Sequence, residues 1–154
     1  MASALPAAGA IVFVDTNVLL AADDAFDAAR QARIRDWLQA LWQRRAGRVS
    51  TQVLNAYYVS ATQHFGMPQG DARAKLRRYQ LWKPWQIDHQ TVETAWGLEA
   101  RFGLPYWDAL IIAAAAQSGA SHVLSLDLPH LQQFDGVTIL NPLDATPTEL
   151  ALAD

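Results

Sequence analysis

The segment that most constrains the fold of this chain is a short apolar run that ends abruptly in polar residues. Residues Ala10–Val14 (AIVFV) are apolar and rich in β-branched side chains, and Asp15, Thr16 and Asn17 follow directly. The apolar run is typical of a buried strand. The three polar residues are of the types that begin helices. A buried strand that runs straight into a helix is a building unit of parallel α/β sheets.

The rest of the chain repeats this order of short strands and amphipathic helices. Apolar residues spaced three and four apart predict helices at Asp27–Arg45, from Ser50 or Thr51 to Phe65, at Asp71–Trp82, from Asp88 to Phe102 and at Pro105–Gln117. Short apolar runs predict strands at Arg48–Ser50, Ser121–Leu126 and Val137–Leu140, with Pro84–Ile87 as a further candidate. The alternation predicts an α/β sandwich around a parallel sheet.

Composition narrows the chemistry that the chain can carry. The 154 residues correspond to one domain, predicted at 10–142 between a flexible N-terminus (1–9) and a C-terminal tail (143–154). The chain has no cysteine, which excludes disulfides, thiolate metal sites and thiol nucleophiles. The net charge of −3 excludes nucleic-acid binding through bulk positive charge, although local basic patches remain open.

No segment of the sequence has the pattern of a secretion signal or a membrane span. The first basic residue is Arg30, so the N-terminus lacks the positive start of a signal peptide. The longest apolar run, Ala109–Ala116, falls well short of the roughly 20 residues that cross a bilayer. We therefore expect a soluble, cytoplasmic protein without membrane association.

Three aspartates stand where a parallel sheet would bring them together. Asp15 and Asp127 each follow an apolar strand, and Asp108 begins the helix that leads to the Ser121–Leu126 strand. Ligands of such sheets bind beyond the carboxyl ends of the strands. Each residue also has a structural interpretation: a helix cap for Asp15, a favourable interaction with the helix dipole for Asp108, and a turn for Asp127. The functional hypothesis depends on all three sharing one edge.

Converging carboxylates repel each other, and this repulsion can be reduced in two ways. Their pKa values can rise until protons remain bound. Alternatively, a hard cation such as Mg²⁺ or Mn²⁺ can bind, because these ions prefer oxygen ligands and keep several waters. Such an ion activates water and stabilises the charge on a phosphodiester during hydrolysis.

The motifs around these aspartates resemble those of the PIN-domain family, and specifically of the VapC-type ribonuclease toxins of toxin–antitoxin pairs. Four segments carry the resemblance, in the family's order: FVDTNVLLAA at 13–22, STQVLNAYYV at 50–59, YWDALIIAAA at 106–115 and VLSLDLPHLQQFDGVTILNP at 123–142. The similarity covers most of residues 11–142. The first and third motifs together are fairly specific, whereas either alone is weak.

The resemblance implies a fold, an activity and a set of site residues. The fold would be a three-layer α/β/α sandwich with a central parallel sheet of about four to five strands. The activity would be Mg²⁺- or Mn²⁺-dependent cleavage of single-stranded RNA segments, by a homodimer that a cognate antitoxin neutralises. Asp15, Asp108 and Asp127 match the metal-binding, catalytic acids. Matching supporting positions are Asn17, Thr16 and Ser125.

The second motif departs from the family at one site position. The family usually has glutamate directly after the residue that matches Asn55, and this chain has Ala56. Three explanations stay open: an engineered substitution that disables a toxic nuclease, a natural loss that leaves a binding-only relative, or a water that replaces the carboxylate. In each case we expect this chain to bind Mg²⁺ more weakly than an Ala56→Glu variant would.

Two other functions remain as alternatives to the nuclease. One is a catalytically silent module of the same fold that engages antitoxin or RNA. The other is an aspartate-based phosphatase, although Asn17 occupies the position where a second aspartate would be expected. The basic stretch Arg73–Lys83 is the best candidate to hold RNA phosphates. Its interleaved aromatic residues fit base stacking, but better fit a core or an interface.

Overall fold

The computed structural model describes residues 9–147 and shows a five-stranded sheet flanked by helices. Residues 1–8 and 148–154, and with them most of the predicted N-terminus and part of the predicted tail, lie outside the described residues. The strands are β1 (Val12–Val14), β2 (Gly47–Arg48), β3 (His122–Leu124), β4 (Gln133–Phe134) and β5 (Val137–Leu140). Their order across the sheet is β2-β1-β3-β5-β4.

Six α-helices surround the sheet. They are α1 (Thr16–Ala21), α2 (Ala28–Arg44), α3 (Thr51–Val59), α4 (Gln69–Tyr79), α5 (His89–Phe102) and α6 (Tyr106–Gln117). A π-helical turn, Ser60–His64, extends α3, and a 3₁₀ turn, Gln80–Trp82, extends α4. Four helices begin at a side-chain cap predicted by residue type: Asp15, Asp27, Ser50 and Asp88 each accept a hydrogen bond from a backbone N–H of the first turn.

The core includes the central strands, the most apolar helix and the buried faces of α1, α2 and α3. All residues of β1, β3 and β5 are buried, because these strands lie within the sheet and helices cover them. Helix α6 is apolar nearly all round and buries seven consecutive residues, Ala109–Ala115. The predicted α/β fold with a central, mainly parallel sheet is therefore confirmed.

Parallel pairing fixes where the functional edge lies. β1 pairs in parallel with both β2 and β3, and β3 pairs in parallel with β5. The carboxyl ends of these four strands therefore share one edge of the sheet. The chain leaves this edge through Asp15 after β1 and Ser125 after β3.

The structure differs from the sequence predictions at several places. The edge strand β4 runs antiparallel to β5, so the sheet is not wholly parallel. The predicted strand at Pro84–Ile87 is reduced to one bridge between Ser50 and Trp85. The helices α5 and α6 also carry two exposed indoles, Trp96 and Trp107, which are 49% and 67% exposed.

A tightly packed aromatic cluster closes the β2 end of the sheet. The Trp82 ring lies 4.5 Å from that of Trp42 and 5.1 Å from that of Tyr79, measured between centroids. The backbone of Gly47 passes directly against Trp82, since a Cβ at this position would lie 2.6 Å from the ring atoms Cε2 and Cζ2. A side chain at position 47 therefore cannot coexist with the observed packing.

Gly47→Ala is expected to lower the free energy of unfolding by about 1–3 kcal/mol. Trp82 is only 2% exposed, so its ring cannot move aside without disturbing its buried neighbours. Urea unfolding measures the effect. Gly97→Ala is the matched control, because its Cβ meets nothing within 4 Å and its helix favours alanine. Equal stability of the two variants would contradict the packing described here.

Candidate active site at the carboxyl edge of the sheet

Asp15 is the most buried carboxylate of this edge, with 9% of its surface exposed. It follows β1 directly and caps α1, and its Oδ1 accepts a hydrogen bond from the backbone N–H of Thr16 at 2.8 Å. Its Oδ2 accepts from the Ser125 hydroxyl at 2.9 Å. The contact of Thr16 with the site is thus made through its backbone. Both carboxylate oxygens are held in fixed positions.

Ser125 joins the loops that follow β1 and β3. Its buried hydroxyl donates to Asp15 and accepts from the backbone N–H groups of Asp127 and Leu128, each at 3.3 Å. These bonds turn the chain so that Asp127 follows β3 on the same side as Asp15. Ser125, which was predicted to support the site, therefore connects Asp15 to the backbone of the loop after β3.

Asn17 bridges the two carboxylates. Its Nδ2 donates to Oδ2 of Asp15 at 3.2 Å and to Oδ2 of Asp127 at 3.1 Å, and it approaches the Ser125 hydroxyl at 3.3 Å. Its Oδ1 accepts from the backbone N–H of Leu126 at 3.0 Å. The amide group therefore supplies partial positive charge between two anions and fixes the orientation of both.

Asp108 completes the acidic group from a third element. It lies in the first turn of α6, which begins after Pro105, and its side chain is partly buried. Burial raises the pKa of Asp108, and the negative charge of Asp127 raises it further. The carboxylates of α6 and of the β3 loop therefore interact electrostatically.

Asp15 experiences both of the other charges. Burial is the main cause that raises the pKa of Asp15, and the charges of Asp108 and Asp127 add to it. Hydrogen bonds from Ser125 and Thr16 oppose the rise without cancelling it. The charges of Asp108 and Asp127 therefore reach Asp15, and the protein compensates the negative charge there only in part.

The donor set of this site suits a hard divalent cation in its chemistry. All three side chains offer oxygen and carry negative charge, as Mg²⁺ and Mn²⁺ prefer. Within residues 9–147, no three His, Asp or Glu side chains are gathered closely enough to hold a metal ion as they stand. Since Mg²⁺ keeps several waters, a bound ion need not contact all three carboxylates directly.

Ala56 lies on the wall of a groove that residues of α6 also line. The groove has a volume of about 550 Å³, and its apolar lining includes Ala56, Trp107 and Leu110. Gln52, one helical turn before Ala56, donates from Nε2 to the backbone carbonyl of Trp107 at 3.2 Å. Residues four apart lie on the same helix face. A longer side chain at position 56 would therefore extend toward the turn that carries Asp108.

Residues next in sequence to the aspartates differ in what they contact. Trp107 adjoins Asp108 and lines the groove, and it is not buried. His130 accepts from the backbone N–H of Asn141 through Nδ1, which is a structural contact. The Leu126 N–H that orients Asn17 could not be predicted, because a backbone donor leaves no trace in residue type.

The predicted basic stretch is largely engaged in contacts of its own. Lys75 forms an ion pair with Asp23, and Tyr57 donates to the same carboxylate at 2.6 Å. Arg73 lies over the Tyr58 ring and Arg78 over the Trp42 ring, at 5.9 and 4.8 Å from the centroids. These contacts hold α4 against neighbouring elements. They leave fewer cations of α4 free to bind phosphates.

The fold and the site define a class of α/β proteins with an acidic centre at the carboxyl edge of a parallel sheet. Residues 12–135 match the PIN domain family. The chain belongs to this family.

No helix in the described part of the chain is long and apolar enough to cross a membrane.

Solved structures with the same fold include toxins of toxin–antitoxin systems. A toxin–antitoxin complex from Klebsiella pneumoniae aligns with a TM-score of 0.64 at 16% identity, covering 85% of this chain and 97% of that one. VapC20 of Mycobacterium tuberculosis, a sarcin-ricin loop cleaving toxin, aligns with a TM-score of 0.57 at 22% identity, covering 73% and 86%. VapBC2 of Rickettsia felis, bound to a promoter DNA fragment, gives 0.55 at 14%, covering 84% and 96%.

These likenesses establish the fold of the chain, since all three identities are low. No curated protein sequence matches the chain closely enough to count as a relative.

Proposed function

We propose that the chain is a metal-dependent endoribonuclease toxin of a toxin–antitoxin pair, weakened by alanine at position 56. The observation that carries the proposal is the hydrogen-bonded unit at the sheet edge, in which Asn17 and Ser125 fix Asp15 and Asp127 while Asp108 shares their electrostatic field. An acidic group of this kind, in which Asp15 is buried and negative charge is only partly compensated, is costly to a fold and is typical of a functional site.

Asp15, Asp108 and Asp127 are the residues that would hold Mg²⁺ or Mn²⁺. When bound, such an ion activates water and stabilises negative charge on a phosphodiester. Ser125 and the Thr16 N–H keep both oxygens of Asp15 aimed in fixed directions. Asn17 holds the Asp127 carboxylate beside Asp15 and limits their repulsion. The protein thus preorganises the anionic ligands before any ion arrives.

Alanine at position 56 accounts for the proposed weakening. Ala56 offers neither charge nor an oxygen ligand on the helix face that points toward the turn of Asp108. One carboxylate fewer lowers the attraction for a divalent ion and leaves one fewer group to orient water or hold a proton. The same observation supports the second candidate function, a catalytically silent module that engages antitoxin or RNA.

An antitoxin partner and a homodimer are part of the proposal. The Klebsiella structure is described as a toxin–antitoxin complex, which supports a protein partner for this fold. An apolar groove of about 320 Å³ between α1 and the π-helical turn is rimmed by Phe26 and Phe65, which are 103% and 67% exposed. We place the antitoxin in this groove.

If Phe26→Ala and Phe65→Ala leave the affinity for a candidate antitoxin unchanged, this placement is wrong. Light scattering tests whether the chain forms a dimer.

Cleavage of single-stranded RNA in the presence of Mn²⁺ tests the proposed activity. We expect slow cleavage that a chelator prevents and that Asp108→Asn abolishes. Asp36→Asn is the matched control, because it removes a carboxylate from the exposed face of α2 without touching the sheet edge. Cleavage that survives Asp108→Asn, or the absence of cleavage even after Ala56→Glu, would reject the nuclease.

A further inference from the structure

A cationic cavity lies at the end of the sheet opposite the acidic site. Its volume is about 340 Å³, and its lining consists of Trp42, Arg45, Arg48, Leu81, Trp82 and Lys83. Arg45 lies before β2, and Gly47, the first residue of β2, pairs with the first residue of β1. Asp15, in contrast, follows the last residue of β1. The length of β1, about 10 Å, therefore separates the two ends. This cavity is not part of the candidate active site.

The lining gathers three cations and no carboxylate. Arg48 is held in place, because its Nη1 donates to the backbone carbonyls of Gly47 at 2.7 Å and of Arg45 at 3.3 Å. Its guanidinium has further N–H groups for a ligand. Neither Arg45 nor Lys83 forms an ion pair within residues 9–147. In a chain with a net charge of −3, this concentration of positive charge attracts anions locally.

The indole of Trp82 forms part of the cavity wall. Trp82 is 2% exposed, and its Nε1 atom has almost no accessible surface, so the ring borders the cavity through its other atoms. The donors that a ligand in the cavity can reach are therefore those of the three cations.

Two of the cations also lie on unfavourable backbone. Arg45 and Lys83 adopt left-handed conformations, with φ of 52° and 50°. Glycine adopts this region freely, whereas a residue with a Cβ is strained there. Each of the two residues ends a helical segment, where a left-handed residue is common. Glycine is therefore the substitution that fits the backbone at both positions.

We propose that this cavity binds a phosphate group, carried either by a free nucleotide or by the backbone of an RNA strand. Recognition is of the phosphate rather than of a base, because the Trp42 ring is already packed against Trp82 and Arg78. The arginine and lysine donors match the several oxygens of a phosphate. Phosphate binding at this cavity does not depend on the nuclease activity proposed above.

The double variant Arg45→Gly/Lys83→Gly separates binding from folding. Both glycines suit the left-handed backbone, so urea unfolding is expected to show equal or higher stability. Calorimetric titration without divalent ions then uses inorganic phosphate, a mononucleotide and a 2′-O-methyl RNA that cannot be cleaved. We expect the double variant to bind at least about tenfold more weakly to each ligand that the unaltered chain binds.

Titration with the different ligands distinguishes a free nucleotide from an RNA backbone as the source of the phosphate. Binding of the mononucleotide as well as the RNA indicates a nucleotide site. Binding of RNA alone indicates a backbone contact, and its salt dependence then becomes shallower by about 0.7 for each phosphate that the variant no longer neutralises. Arg101→Gln, which removes an exposed cation from α5, is the control and should bind as the unaltered chain does. Unchanged affinity in the double variant, or no binding of any of the three ligands, overturns the proposal.

Discussion

Ala56→Glu is expected to raise Mn²⁺ affinity at least about tenfold and RNA cleavage by about 10²-fold or more. The added carboxylate would extend from α3 toward the turn of Asp108, where it increases the negative field that attracts a divalent ion. A positioned acid–base group contributes about 10²–10⁴-fold to a rate. The groove beside Ala56 has room for the longer side chain, so the fold need not rearrange.

Calorimetry with Mn²⁺ and an RNA cleavage assay measure these two effects. Ala100→Glu is the matched control, because it adds the same charge at an exposed position of α5 away from the acidic site. Without metal, Ala56→Glu should be slightly less stable than the unaltered chain, since it adds repulsion. Equal Mn²⁺ affinity of the two glutamate variants would show that position 56 does not belong to the site.

Asp15→Asn is expected to stabilise the protein while abolishing both metal binding and cleavage in the Ala56→Glu background. Burial and two neighbouring carboxylates disfavour the charge of Asp15, and asparagine removes that charge. Asparagine is an equally good helix cap, and its Oδ1 can still accept from the Thr16 N–H. We expect a gain on the order of 1 kcal/mol, or about 2–4 °C in Tm, without metal.

The gain should depend on pH in a definite direction. The pKa of Asp15 is raised above its ordinary 3.8, so the folded protein binds this proton more tightly than the unfolded chain does. The stability of the unaltered protein therefore falls as pH rises from about 4 through the raised pKa, whereas Asp15→Asn lacks this contribution to the loss. The advantage of the variant is largest at neutral pH and disappears in acid.

Urea unfolding in chelator across this pH range checks the prediction. Asp36→Asn is again the control, because its carboxylate lies exposed on α2. An Asp15→Asn variant that is less stable than the unaltered chain at neutral pH would mean that the hydrogen bonds to the carboxylate outweigh its burial.

The neighbouring positions of Asp15 and Asp127 could be predicted from sequence, because the direction and order of the strands decide them. Strands as short and apolar as β1 and β3 pair in parallel in an α/β fold, and the residues that follow them must then share an edge. Asp15 and Asp127 are neighbours for this reason. Asp108 followed from the start of α6, whose apolar run must lead into β3.

Other features depend on contacts that residue type does not reveal. β4 has only two residues, too few for an alternating pattern, so its antiparallel pairing with β5 was not visible. Trp107 is large and apolar, as core residues are, but its side chain is exposed in the first turn of α6, one position before Asp108. The cationic cavity brings Arg45 and Lys83 together through left-handed turns that ordinary propensities disfavour.

In the proposed function, three aspartates from separate elements form one metal site. Anomalous X-ray diffraction from Mn²⁺-soaked crystals of the Ala56→Glu variant tests this most directly. We predict a Mn²⁺ peak among Asp15, Asp108 and Asp127, with at least one carboxylate oxygen at roughly 2.2 Å, and its loss after Asp15→Asn. A Mn²⁺ bound elsewhere while this edge of the sheet stays without one would contradict the proposed metal site.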